Sequence, residues 1–253
     1  AAEAGVPLAP QGGTTPMVGG APPPTDGSAL ILSTRRMNRL RALDGEAGLA
    51  VAEAGVVLAS LHEAADAAGW RVPLSLGAKG SATVGGLIST NAGGSQVLRF
   101  GTMRALVAGI EAVLPDGTIL NGLSPLKKDN RGYDLKHLLI GAEGTLGVVT
   151  AAALTLVPAA GDRAAIWVGL RTPADGLALL RRLEATTGDA IESFEILPAE
   201  SLTAVLRHIP GTRSPLADEY PWYVLIEAVA SVPGGAAPMM EPLLGDALAS
   251  CLI

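Results

Sequence analysis

Three glycine-rich segments carry the residues whose types and spacing could bind an anion. They span residues 10–15, 77–94 and 143–149. Glycine lets the main chain approach a ligand closely and adopt positive φ angles, so that successive N–H groups can converge on one anion. Serine and threonine residues between the glycines could add hydroxyl donors. The chemistry that suits such loops is the binding of a diphosphate.

The number of these segments favours a binding site over simple turns. Any one glycine-rich loop, taken alone, is more often a tight turn. Three loops with interleaved hydroxyls indicate a dinucleotide site instead, because independent signals agree. Main-chain donors would also bind a diphosphate without many lysines, which agrees with a net charge of −6. The spacing alone does not say which dinucleotide is bound.

Other common signatures of catalysis are absent from the sequence. It contains no G-x-G-x-x-G, G-x-x-x-x-G-K-[ST] or G-x-S-x-G motif, so a Rossmann site, a P-loop and a nucleophile elbow are not predicted. His62, His137 and His208 are far apart, and each is interpreted as a surface side chain. The single cysteine, Cys251, excludes a disulfide framework and a cysteine-ligated metal. We therefore predict no metal site made from this chain alone.

The composition narrows the class of protein further. The 253 residues include 32 glycines, 18 prolines and only 3 Trp, 3 Tyr and 2 Phe, and 17% of them are charged, against a typical ~25%. These values exclude a coiled coil, a helical bundle and a disordered acidic chain. No nucleic-acid partner is predicted, because no basic run exceeds two lysines. The uncharged stretch 144–161 contains glycine, threonine and proline, and predicts a buried strand rather than a transmembrane segment. Sparse cysteine favours a cytoplasmic location.

Short apolar runs between the glycine-rich segments predict the elements that position them. Alternation with a period of two predicts strands, and apolar residues at three- and four-residue spacing predict helices. An extended run is expected at 73–76 and a loop from 77 to 101. In the first 158 residues the predicted strands are 6–9, 29–32, 50–54, 107–114, 118–120 and 148–157, and the predicted helices are 57–68 and 134–140.

The pattern changes after residue 158. Glycine clusters thin out, and predicted strands 165–170, 191–197 and 222–228 alternate with predicted helices 173–187, 199–208 and 239–249. This alternation favours an α+β arrangement for the second part of the chain. We expect a boundary near residues 158–162, which gives domains 1–158 and 163–253.

Four motifs in this order resemble a known flavoprotein superfamily. They read GGTT, LGAKGSATVGG, STNAGG and KKDNRGYDLKHLLIGAEGTLGVVT. The chain is similar, over most of its length, to the flavin-binding domain of the vanillyl-alcohol oxidase and p-cresol methylhydroxylase superfamily. Within it, LGAKGS and KDN-x-GYDL resemble the FAD-linked D-2-hydroxyacid dehydrogenases, and the D-2-hydroxyglutarate dehydrogenase branch in particular.

The resemblance implies an α+β fold in two parts. The first is an FAD-binding domain of the p-cresol methylhydroxylase type, with two α/β subdomains of which the first is incomplete. The second is a truncated cap domain with an antiparallel sheet and helices, which would cover the flavin. A further strand–helix unit is expected before Ala1, and the family's histidine- and glutamate-containing motifs are expected after Ile253.

The resemblance also assigns the three segments to FAD. The first segment and the start of the second would hold the diphosphate, the end of the second would lead toward the flavin ring, and the third would pass the adenosine side. No histidine occurs in the first segment, so FAD is expected to bind noncovalently. The cofactor-binding residues implied in this way are Pro10, Gln11, Gly12, Gly13, Thr14, Thr15, Gly77, Ala78, Lys79, Gly80, Ser81, Ala82, Thr83, Gly85, Gly86, Thr90, Asn91, Ala92, Gly93, Glu143, Gly144, Thr145, Leu146, Gly147, Val148 and Val149.

The activity that the resemblance implies is oxidation of a D-2-hydroxyacid by hydride transfer to flavin N5, with D-2-hydroxyglutarate converted to 2-oxoglutarate. D-lactate or glycolate dehydrogenase and a catalytically silent flavin-binding fragment stay open as alternatives. The expected partners are a small 2-hydroxyacid and an electron acceptor such as an electron-transfer flavoprotein or a quinone. A divalent metal and the catalytic base are expected beyond Ile253, so no catalytic residue is named. Lys127, Lys128 and Arg131 are interpreted as solvated loop charges.

Overall fold

The computed structural model describes residues 1–124, 126 and 128–253 of the chain. These residues group by their contacts into two compact units. The first unit comprises Ala1–Gly94 and Phe100–Ala159, and the second comprises Ser95–Arg99 and Ala160–Ile253. Each unit has a hydrophobic core of its own.

The chain as far as Pro158 alternates between short strands and short helices. Glycine and proline punctuate this part of the sequence and keep its elements short. The strands are β1 (Leu8–Gln11), β2 (Leu30–Ser33), β3 (Leu40–Asp44), β4 (Leu49–Glu53), β5 (Trp70–Arg71), β6 (Val107–Val113), β7 (Ile119–Gly122), β8 (Val148–Thr155) and β9 (Val157–Pro158), and the helices are α1 (Leu58–Ala67), α2 (Val84–Ser89), α3 (Val97–Phe100), α4 (Met103–Leu106) and α5 (Lys136–Leu139).

A five-stranded antiparallel sheet forms the centre of the first unit. Its strand order is β3-β4-β8-β6-β7. The alanines of β8 are small and leave room for helices to pack on the sheet. Ala152, for example, pairs with Ala52 of β4 on one side and with Ile110 of β6 on the other. Gly85 on α2 lies so close to the end of β4 that a Cβ there would be 2.7 Å from the Ala54 Cβ. Small residues therefore let α2 pack directly on the sheet.

The core of the first unit lies between this sheet and the helices α1 and α2. Its largest buried side chains are at most 2% exposed, and they come from both layers. Burying one such side chain contributes about 1.5–3 kcal/mol, so this cluster is the main stabilising feature of the unit. Its members include Leu58, Leu61, Leu74, Ile88, Met103, Ile110, Ile140 and Leu154.

The strands β1 and β2 form a separate two-stranded parallel sheet. Their register runs from Leu8 opposite Leu30 to Gln11 opposite Ser33. The Thr34 N–H continues the ladder by donating to the Gln11 carbonyl at 2.9 Å. The first glycine-rich segment therefore leaves the sheet at the carboxyl end of β1, which is where open α/β sheets place their ligands.

A charge network centred on the buried Glu53 joins three strands of the large sheet. Glu53 and Glu111 both stand opposite Ala151, one on each side of β8. Arg41 bridges them, with Nε 3.2 Å from Glu53 Oε1 and Nη1 2.9 Å from Glu111 Oε2. Glu53 is 3% exposed and also accepts from Arg39. Hydrogen bonds from Arg39 lower the pKa of Glu53 to about 2, and those from Arg41 lower the pKa of Glu111.

The second unit packs two helices against a three-stranded antiparallel sheet. The sheet has the order β10-β12-β11, and α6 begins with a capping box in which Thr172 and Asp175 bind each other's main-chain N–H groups. Leu170, Leu179 and Ile226 lie in its core. Its elements are β10 (Asp162–Leu170), α6 (Pro173–Thr187), β11 (Ile191–Pro198), α7 (Ala199–His208), β12 (Trp222–Ala230) and α8 (Ala236–Ala249).

The longer predicted elements are confirmed, and the errors fall on short ones. Helices 57–68, 173–187 and 199–208 correspond to α1, α6 and α7. Within the described part of the chain, the longest helix is α6 with 15 residues, and no helix combines the length and apolar character that a bilayer span requires.

One short prediction is wrong, because the expected loop 77–101 contains α2 and α3. The sequence pattern also did not predict β3, and the run 73–76 belongs to no strand. The sequence VGGLIS of α2 has low helix propensity because of its glycines. Burial of Val84, Leu87 and Ile88 against the sheet overrides that propensity.

The charge network predicts an acid-sensitive first unit. Since the pKa of Glu53 is about 2 in the folded chain and 4.5 ordinarily, its stabilising effect is complete above about pH 4.5 and is lost as the pH falls toward 2. We expect the free energy of unfolding, measured by urea denaturation, to decline over this range. Glu53→Gln should flatten that decline, and an identical pH profile for the variant would contradict the assignment.

Candidate cofactor-binding site

The first two glycine-rich segments lie against each other, main chain to main chain. A Cβ on Gly13 would overlap with the Ser81 carbonyl oxygen and would lie 3.1 Å from the Ala82 Cα. A Cβ on Gly12 would overlap with the Thr83 hydroxyl. Any side chain at these two positions would separate the segments, so glycine is required there for a close approach.

The third glycine-rich segment contacts both the first and the second. A Cβ on Gly144 would lie 3.2 Å from Pro10 Cγ, so the third segment touches the first. The Glu143 N–H donates to the Ser89 carbonyl at 2.8 Å, which fixes the third segment to the end of α2. All three predicted segments therefore meet around α2, as one site requires.

One residue in each segment adopts a strained main-chain conformation. Thr14, Asn91 and Glu143 have φ angles of +56°, +48° and +53°. Among the described residues only Cys251 is a further non-glycine residue with positive φ. Such residues concentrate at binding sites, where the surroundings hold them in place. Asn91 is held by the Arg104 N–H, which donates to its Oδ1 at 2.9 Å.

A crevice of about 510 Å³ opens where the first and second segments meet. None of its lining residues is acidic, and Arg35 is the one charged residue among them, so the crevice suits an anion. Four of its residues belong to the predicted set and six were missed. The predicted ones are Gly12, Gly13, Ser81 and Thr83, and the missed ones are Arg35, Asn38, Gly55, Val56, Val57 and Ser60.

Thr83 supplies the observation in the crevice that best fits an anionic ligand. Its Oγ1 is the one buried side-chain polar atom without a hydrogen-bond partner among the residues described. Leaving such a group unpaired costs about 1–3 kcal/mol. Thr83 precedes α2 but makes no side-chain cap, and it lines the crevice beside Gly12. A phosphate oxygen in the crevice would provide the acceptor that this hydroxyl lacks.

The remaining predicted residues divide into packed and open positions. Ala82, Gly85 and Val149 are buried in the first unit, where the absence of a side chain on Gly85 lets α2 pack closely on the sheet. The hydroxyls of Thr90 and Thr145 donate to main-chain carbonyls. Ala78 and Ala92 pack against the core of the first unit, and a Cβ on Gly77 or Gly80 would have no atom within 4 Å.

A larger cavity of about 1380 Å³ lies elsewhere in the first unit, and none of the predicted cofactor residues lines it. Its cations are engaged: Arg104 donates to the His137 carbonyl at 2.7 Å, and Arg131 pairs with Asp129 at 2.6 Å. The Arg131 pair agrees with a solvated loop charge, and Lys127 lies outside the described residues. The first and second predicted segments and the unpaired hydroxyl line the smaller crevice instead.

Comparison with known proteins identifies the first part of the chain. Residues 1–122 match the family described as FAD binding domain. D-2-hydroxyglutarate dehydrogenase of Bos taurus is 43% identical over 244 residues, which are 96% of this chain and 44% of the relative. The Arabidopsis thaliana enzyme is 37% identical over 97% of this chain and 44% of its own length. The chain thus spans less than half the length of these relatives.

Solved structures agree on the fold. An alkyldihydroxyacetonephosphate synthase superposes with a TM-score of 0.77 at 18% identity, covering 97% of this chain and 48% of the neighbour. The expected mixed α+β fold with antiparallel sheets and the likeness to D-2-hydroxyglutarate dehydrogenases are confirmed.

The expectation of a cytoplasmic location is wrong. The relatives from Bos taurus and Arabidopsis thaliana are both named as mitochondrial proteins. The expectation was based on sparse cysteine, and a low cysteine count does not separate one reducing compartment from another.

Replacing Gly13 should disrupt both the loop contact and flavin binding. Gly13→Ala places a Cβ against the Ser81 carbonyl, so we expect the free energy of unfolding to fall by about 1–3 kcal/mol and the purified protein to lose its flavin absorbance. Gly245→Ala on α8 is the matched control, because a Cβ there has no atom within 4 Å and Gly245 is not among the residues proposed to hold FAD. Equal flavin content in both variants after gel filtration would contradict the assignment.

Thr83→Val should change stability and flavin affinity in opposite directions. Removing an unpaired buried hydroxyl should raise the free energy of unfolding of the FAD-free protein by about 1 kcal/mol. The same change should weaken FAD binding about tenfold, since a charge-assisted hydrogen bond is lost. Denaturation and flavin fluorescence titration measure the two effects. A less stable variant with unchanged FAD affinity would show that the hydroxyl serves the fold alone.

Proposed function

We propose that this chain is the cofactor-binding part of an FAD-dependent dehydrogenase that oxidises D-2-hydroxyglutarate to 2-oxoglutarate. The observation that carries the proposal is a crevice between the first and second glycine-rich segments that contains an unpaired buried hydroxyl, with the third segment in contact with the first. The choice of substrate is supported by the D-2-hydroxyglutarate dehydrogenases that are 37–43% identical over nearly all of the chain.

The residues proposed to hold FAD are those of the three segments, together with the crevice residues that the sequence did not predict. The main-chain N–H groups at Gly12 and Gly13 and the Thr83 hydroxyl would donate to the diphosphate. Arg35 would offset its negative charge, and Val56 and Val57 would exclude water from one side. The attachment is proposed to be noncovalent, since the first segment contains no histidine.

The chemistry divides between the cofactor and the protein. FAD, when bound, supplies the acceptor for the α-hydrogen of a 2-hydroxyacid. This chain's part is to bind and orient: the segments fix the dinucleotide, and Asn91, held by Arg104, keeps the end of the second segment rigid. The hydroxyl proton must pass to a base, and we assign that base to none of the described residues.

A divalent metal does not fit the described part of the chain. No three His, Cys, Asp or Glu side chains come together there in an arrangement that could hold a metal ion. We therefore derive no step through a metal.

We propose residues 1–158 as the FAD-binding domain and residues 163–253 as the start of the substrate-covering domain. The three-stranded antiparallel sheet of the second unit, with α6 and α8 on one face, supports this division. The electrons would leave through an acceptor such as an electron-transfer flavoprotein or a quinone.

Anaerobic titration of the flavin absorbance of the whole protein tests the activity. D-2-hydroxyglutarate should bleach the oxidised flavin band, whereas L-2-hydroxyglutarate, the matched enantiomer, should not. Faster bleaching by D-lactate or glycolate would instead identify one of those acids as the substrate. A yellow protein that no 2-hydroxyacid bleaches would be a silent flavin-binding protein, and a colourless protein would refute the cofactor assignment.

A further inference from the structure

The turn formed by residues 34–39, called here the 34–39 turn, supplies one wall of the crevice. Arg35 and Asn38 line the crevice from this turn. Both residues are exposed, so their own packing does not fix their positions. Whether they face a ligand correctly therefore depends on how the main chain of the turn is held.

The front of the turn is held by contacts with the first glycine-rich segment and with the end of β4. The Thr34 N–H donates to the Gln11 carbonyl at 2.9 Å, and the Met37 N–H donates to the Thr34 carbonyl at 2.9 Å. The Gly55 N–H donates to the Met37 carbonyl at 2.7 Å. A Cβ on Gly55 would overlap with the Thr34 carbonyl, so the turn rests directly on a glycine.

The back of the turn is held by the buried carboxylate of Glu53. The Arg39 N–H donates to Glu53 Oε2 at 3.0 Å, and the Glu53 N–H donates in return to the Arg39 carbonyl at 3.0 Å. Glu53 is 3% exposed and accepts further bonds from the side chains of Arg39 and Arg41. One carboxylate thus binds the main chain immediately after Asn38.

We propose that Glu53 is a positioning residue of the cofactor site, which sets Arg35 and Asn38 against the crevice by fixing the 34–39 turn. The inference rests on the binding of FAD in this crevice, as proposed above. Glu53 itself does not line the crevice, so its effect on FAD must pass through the turn.

The main-chain bond carries this role rather than the ion pair. The Arg39 side chain is 79% exposed, and ion pairs with exposed partners contribute little. The Arg39 N–H donates to the Glu53 carboxylate, which is almost completely buried. Removal of that acceptor would leave a main-chain donor unsatisfied and release the turn.

Titration of the full-length protein with FAD, followed by flavin fluorescence, tests the proposal. Glu53→Ala should weaken FAD binding about tenfold. Glu53→Gln keeps an acceptor oxygen for the Arg39 N–H and should recover most of the affinity. Glu111→Gln is the matched control, because Glu111 shares Arg41 with Glu53 but has no bond to the turn. It should bind FAD as tightly as the wild type, with its fold verified by circular dichroism.

A double-mutant comparison separates positioning from a general loss of stability. In a background that carries both Arg35→Ala and Asn38→Ala, Glu53→Ala should cause no further loss of FAD affinity. An equal loss in both backgrounds, or an equal loss in Glu111→Gln, would overturn the proposal. If Glu53→Ala does not fold, the Arg35→Ala/Asn38→Ala variant is titrated with FAD by itself, and an affinity equal to that of the wild type would overturn the proposal. A wild-type protein that binds no FAD would refute the cofactor assignment itself.

Discussion

The site depends on an approach of one main chain to another that only glycine allows. Gly12 and Gly13 lie against residues 81–83, and any Cβ at either position would overlap with an atom of the second segment. A second close approach fixes the second segment to the large sheet, because Gly85 packs against Ala54 at the end of β4. Close contacts of this kind order the main-chain donors before a ligand arrives, so little entropy remains to be lost on binding.

The arrangement explains how an acidic chain can bind an acidic dinucleotide. The net charge is −6, yet the crevice has no carboxylate in its lining and one arginine. Main-chain N–H groups and a buried hydroxyl act on a bound anion at short range. The negative charges elsewhere on the chain are distant, and salt screens their repulsion of the anion. The buried carboxylate of Glu53, which holds the 34–39 turn, is neutralised by Arg39 and Arg41.

The sequence allowed the three segments to be predicted because each has a local signature of glycines with interleaved hydroxyls. The long helix α6 was also predictable from its local sequence, because Pro173 and Gly188 mark its two ends. Two features had no local signature. Helix α2 forms against its own propensity through burial in the core. Arg35 and Asn38 reach the crevice through the pairing of β1 with β2 and the packing of Gly55, and Ser60 reaches it from α1. The hydrogen bond from the Arg39 N–H to the Glu53 carboxylate holds the turn that carries Arg35 and Asn38, but no sequence pattern marks it.

A crystal structure of the protein grown with FAD tests the central claim most directly. The account predicts the diphosphate between Gly12–Gly13 and Ser81–Thr83, with the Thr83 hydroxyl donating to a phosphate oxygen. A diphosphate bound in the larger cavity beside Trp70 and Tyr133, with Thr83 still unpaired, would contradict it.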